Sequence, residues 1–63
     1  MSGVTTGAVD AIDHSLRTIQ IAAVTYHVAT PDLLVGLRVG ALIIAVWNEV
    51  GDQRHVTKVD RLR

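Results

Sequence analysis

The chain has 63 residues and no cysteine, and its 6 Lys+Arg balance its 6 Asp+Glu. That length holds one domain at most, and disulfides and thiolate metal sites are excluded. Zero formal charge supplies no general attraction to nucleic acid or anionic lipid.

Residues 1–5 read as a loose lead-in to a single domain over about residues 6–62. Thr6 to Asp13 is the first predicted strand, with Gly7 permitting a bend or a close strand crossing. Asp13-His14-Ser15 is a turn, because Asp and Ser favour local side-chain to backbone bonds. Arg17 to Ile21 is the second strand, with Ile19 and Ile21 inward and Thr18 and Gln20 outward. Ala22-Ala23 is a poor hairpin turn, since type I′ turns want Gly or Asn, so the chain is expected to bend or run on there. Val24 to Val28 continues with Val24, Tyr26 and Val28 on one face and Thr25 and His27 on the other.

Thr30-Pro31-Asp32 ends that strand, as proline lacks the ladder donor. Leu33 to Val39 is a connector whose apolar residues at 33, 34, 37 and 39 suit a plug at one barrel end, with a short helical turn. Gly40 leads into a strand from Ala41 to Asn48, and a turn at Gly51-Asp52 returns the chain along Arg54 to Arg61. Val56 and Val59 are three apart, so a bulge between them would turn both inward. Both faces of the 41–48 strand are apolar. The face with Ile43 and Trp47 is taken as the one that wants cover, by the connector, a chain end or a partner.

Helical readings compete. Mean hydropathy is +0.36, and Val9, Ile12, Leu16, Ile19, Ala23 and Tyr26 fall at spacings of three and four. A soluble helical hairpin would use that face, with Thr30 and Pro31 capping its second helix. A membrane-associated helix would use residues 33–50. Its apolar run from Leu33 to Trp47 is short of the roughly 20 residues a span needs, and Arg38 inside it costs about 2.5–3.5 kcal/mol. Composition favours strands: the chain has 10 Val, 5 Ile and 6 Thr, but one Lys and one Glu. The fold expected is all-β, a small five-stranded OB-like barrel.

Five stretches carry a resemblance: Gly7-Ala-Val-Asp-Ala-Ile-Asp, Arg17-Thr-Ile-Gln-Ile, Val24-Thr-Tyr-His-Val, Leu37-Arg-Val-Gly40 and His55-Val-Thr-Lys-Val. Together they resemble a bacterial family of unknown function built from small OB-like β-barrels, often found in exported proteins. The resemblance covers about residues 6–62 and implies a five-stranded barrel with no established activity. Ala22-Ala23 departs from the glycine such domains commonly carry. OB folds in general bind oligonucleotides, oligosaccharides or proteins.

Chemistry is sparse. His14, His27 and His55 lack ligand spacing, so no metal or other cofactor is assigned. Asp10 and Asp13 fall on opposite strand faces, and no nucleophile motif surrounds Ser2 or Ser15, so no enzyme is expected. Residues 1–15 contain no apolar run, and no signal peptide is read there. The compartment stays open between cytoplasmic and a mature or excised exported domain. A short neutral chain with pI ≈ 6.8 leans towards self-association. The reading is therefore a non-catalytic binding or assembly module, a homo-oligomer or a protein's partner, with Ile43, Trp47 and Tyr26 at the contact. Arg54, Lys58 and Arg61 are the candidate contacts under a single-stranded nucleic-acid alternative. A membrane partner belongs only to the helical alternative.

Overall fold

A computed structural model describes residues 2–62. Five strands, β1 (Ser2–Asp13), β2 (Thr18–Ile21), β3 (Val24–Val28), β4 (Leu42–Val50) and β5 (Gln53–Arg61), close into a barrel in the order β1-β2-β3-β5-β4. All neighbouring pairs are antiparallel except β3 and β5, which run parallel. One 3₁₀ turn, Pro31–Leu34, lies between β3 and β4. The described residues contain no α-helix, and no helix long and apolar enough to cross a membrane. Both helical alternatives are thereby corrected. The helical spacing from Val9 to Tyr26 is coincidental: Val9, Ile19 and Tyr26 point inward from three strands, Leu16 is exposed and Ala23 sits in a turn.

The strand β1 organises the ring because it is long enough to pair on both sides. Its first half runs along β4 from Ser2↔Asn48 to Ala8↔Leu42, and its second half along β2 from Val9↔Ile21 to Asp13↔Thr18. The lead-in expected at residues 1–5 is thus corrected for Ser2 to Thr5, which are strand because β4 supplies the ladder; Met1 lies outside the described residues. An irregularity between Val9 and Ala11 leaves Asp10 unpaired and marks the bend between the halves. Just before it, a Cβ on Gly7 would stand 2.8 Å from Ile21 Cγ2, so the close crossing there needs a glycine.

Ala22 and Ala23 form a tight two-residue hairpin turn, contrary to the expected bend. Both take left-handed backbone, at φ 52° and 66°, and Ile21 pairs directly with Val24. The type I′ geometry is adopted without the residues that favour it, because the ladder on either side demands it. The Ala23 amide reaches Asp10 Oδ2 at 3.4 Å.

The core collects the inward residues of all five strands: Val9, Ile19, Ile21, Tyr26, Val28, Ile43, Ala45 and Val56. Leu34 and Leu37 of the connector complete it, with Leu33 packed against them, so the segment plugs one barrel end; Val39, expected in the plug, is exposed instead. On β5 the register slips opposite Val46/Trp47, where Lys58 and Val56 are successive partners. Thr57 is the extra residue, and its hydroxyl donates to the Val46 carbonyl at 3.4 Å. The bulge brings both Val56 and Val59 to the inner side.

Candidate functional site

On β4 the two faces are assigned the other way from the sequence expectation. Ile43 has 0% of its surface exposed and Ala45 is equally buried, so their side is the interior. Ile43 is therefore corrected from a contact residue to a core residue. The cover that its face wanted is the barrel itself: Gly7 and Arg61 flank Ile43 in register, and Thr5 and Val59 flank Ala45.

Tyr26 is also interior, and Trp47 is half-buried at the barrel end away from the connector. Thr5 links them. The Trp47 indole N–H donates to Thr5 Oγ1 at 2.9 Å, and Thr5 Oγ1 shares a second bond with the Tyr26 hydroxyl at 3.0 Å. The rings are tilted by 54° with centroids 6.2 Å apart. Arg54 lies over the outer side of the indole, its guanidinium carbon 5.2 Å from the ring centroid. A Cβ on Gly3 would come within 2.5 Å of Trp47, so the indole occupies the space Gly3 leaves. These contacts make Trp47 a stopper in the barrel mouth. They satisfy the polar atoms of both aromatics within the chain.

The three basic residues of β5 are not brought together. Arg54 caps Trp47 at one barrel end. Lys58 faces outward and pairs with Asp60 at 3.7 Å. Arg61 donates to the Gly36 carbonyl at 3.0 Å at the opposite end. Arg54 and Arg61 are roughly 23 Å apart along the strand at about 3.3 Å per residue, and among the described residues no continuous basic track joins them.

The outer side of the sheet holds what the sequence reading passed over. Rows across β1, β4 and β5 read Val4–Val46–Lys58, then Thr6–Ile44–Asp60, then Ala8–Leu42. Val4 is 63% exposed and Leu62, whose amide bonds the Leu42 carbonyl, is 46% exposed. Leu42, Ile44 and Val46 are half-buried between them. The result is a contiguous aliphatic face bordered by one exposed ion pair. Its signal was present as the even-numbered residues of the 41–48 strand.

Histidines separated by 28 positions also meet. His27 and His55 are register partners across the parallel β3–β5 pair, with rings inclined by 24° and centroids 5.5 Å apart. Sequence spacing contains no trace of this, because the pairing is set by topology. His14 stands apart in the β1–β2 turn.

No protein-family model matches the chain, and no curated protein matches it in sequence. Among solved structures the fold is similar to the crystal structure of a fimbrial biogenesis protein, PilY2, from Pseudomonas aeruginosa, with a TM-score of 0.84 at 12% identity over 97% of this chain and 87% of that one. At this identity the likeness shows the shared small all-β ring fold.

Proposed function

We propose that the protein is a non-enzymatic assembly module that docks onto another protein surface, in the first instance a second copy of itself, through the outer face of β1, β4 and β5. One observation carries the reading: Val4, Leu42, Ile44, Val46 and Leu62 form a continuous apolar face on the outside of a barrel whose interior is already filled. Zero net charge removes long-range repulsion between copies. The similar fold of a protein described as acting in fimbrial biogenesis supports a role in assembly.

A strand order with one parallel pair closing an otherwise antiparallel ring supports reading the barrel as OB-like. OB folds that hold nucleic acid or sugars use the face of the second and third strands. Here that face presents Thr18, Gln20, Thr25 and His27, with neither tyrosine nor tryptophan outward. That face thus carries no large aromatic ring for bases to stack on, which favours a protein partner.

Sedimentation velocity over a wide concentration range tests the reading. Ile44→Lys is expected to lower the oligomeric mass while leaving the circular dichroism spectrum of the barrel intact. Monomers for both the wild type and the variant at every concentration would sink the self-association. An unchanged oligomer in Ile44→Lys would mean the copies meet on another surface.

A further inference from the structure

The described residues contain no group of three or more His, Cys, Asp or Glu side chains placed to hold a metal ion. They do contain one close pair of imidazoles, and its location is informative. His27 alternates with the inward Tyr26 and Val28, and His55 with the inward Val56, so both rings stand on the outside of the barrel. They face each other across the parallel seam, at ring centroids 5.5 Å apart.

That spacing suits chelation. A tetrahedral ion holding two imidazole nitrogens at about 2.0–2.1 Å places the ring centroids roughly 5 Å apart. The rings are stacked at 24°, so an ion is held once each ring turns about its side-chain torsions to aim one nitrogen at a common point. Gln53 supplies an outer support: its Oε1 lies 3.0 Å from His55 Nε2. When Nε2 carries the proton and donates to that oxygen, the Nδ1 lone pair is left free for an ion. Metal-bound histidines are commonly oriented by such a bond. The residues beside the pair in the same row are Thr18 on β2 and Asn48 on β4, both neutral. No cation in that row opposes a bound metal.

We propose that His27 and His55 form a two-imidazole chelate for a late first-row divalent ion, Cu²⁺, Ni²⁺ or Zn²⁺, on the outside of the β3–β5 seam. Two nitrogen ligands suit these ions over Mg²⁺ or Ca²⁺, which take oxygen, and Cu²⁺ binds tightest of the three. The remaining coordination positions belong to water. Because the two ligands come from different strands, the ion staples the seam, which holds only two residue pairs, His27↔His55 and Val28↔Val56. Ion binding to the folded state alone also raises stability.

Isothermal titration of the whole chain with Zn²⁺ and with Cu²⁺, in a non-chelating buffer at neutral pH, tests the site. One ion per chain is expected, with Cu²⁺ tighter than Zn²⁺. His27→Ala and His55→Ala should each weaken binding at least about tenfold, whereas His14→Ala should change it less than about twofold. Both seam histidines are on the outside, and circular dichroism checks that each variant keeps its strands. Excess Zn²⁺ should raise the thermal midpoint of the wild type by more than about 5 °C and leave that of the His27→Ala/His55→Ala variant unchanged. An absence of binding heat for both ions overturns the proposal, and the rings are then a packing pair only. An affinity or a thermal shift that survives loss of both histidines overturns it equally.

Discussion

Ala22 and Ala23 carry the clearest local conflict in the molecule. Each sits in a left-handed conformation that costs an L-residue with a Cβ about 1–2 kcal/mol, while Gly and Asn enter it readily. Replacing the pair by Asn-Gly should therefore stabilise the barrel by about 1–2 kcal/mol, read as an upward shift of the thermal midpoint. An unchanged or lower midpoint would show that the surrounding ladder had already absorbed the strain. Thr5 is the opposite case, a residue whose hydroxyl answers two aromatic side chains. Thr5→Val keeps the shape and removes the oxygen. It should cost about 1–3 kcal/mol through the half-buried indole N–H left without its partner. Trp47 fluorescence should shift with it; if stability and emission both stay put, the bond contributes nothing. In the sequence Thr5 carried no signal, and Ala22-Ala23 stood out only as a poor turn. A turn rule correctly disfavours Ala-Ala but cannot see the β2–β3 ladder that overrules it. The role of Thr5 depends on strands 21 and 42 positions away.

Among the elements, β4 separates what alternation can and cannot tell. Its length and apolar character were readable, but both faces are aliphatic, so the period of two leaves the inward side undecided. The answer lies on its neighbour. Positions 3, 5 and 7 of β1 are Gly, Thr and Gly, the small residues a narrow barrel interior accepts, and they pair with Trp47, Ala45 and Ile43. Residues 1–5, read as lead-in, hid that clue. On β5, by contrast, two valines three apart correctly implied a bulge, since no regular strand turns both inward. The corrected faces make adjacent isoleucines differ sharply. Ile43→Ala should cost about 2–5 kcal/mol, enough to unfold much of so small a domain, whereas Ile44→Ala should cost about 1 kcal/mol or less. Denaturant melts of the two variants decide it, and equal losses would mean the inward side is wrongly assigned.

Across the whole molecule, the five strands and the plug were foreseeable because each is written in local alternation and punctuation. The ring was expected only as a class. Its closing contacts join β1 to β4 and β3 to β5, pairs far apart in sequence, and these also assemble the aliphatic outer face and the facing histidines. No local pattern encodes such juxtapositions. They follow from the strand order.

The brevity of the β3–β5 ladder has a kinetic consequence. The hairpins β2–β3 and β4–β5 are joined by two-residue turns and can form within microseconds, as hairpins do. The parallel pairing must bring together residues 28 apart, and it gains two rungs for the loop entropy it spends. With two rungs against the seven of β1–β4, this seam is expected to close late in folding and to reopen first in unfolding. Native-state hydrogen exchange should accordingly find the Ala29 amide, which bonds the Val56 carbonyl across the seam, exchanging ahead of the amides between β1 and β4. The barrel would thus breathe as a ring with one clasp, its long strand β1 holding the rest together while the clasp opens.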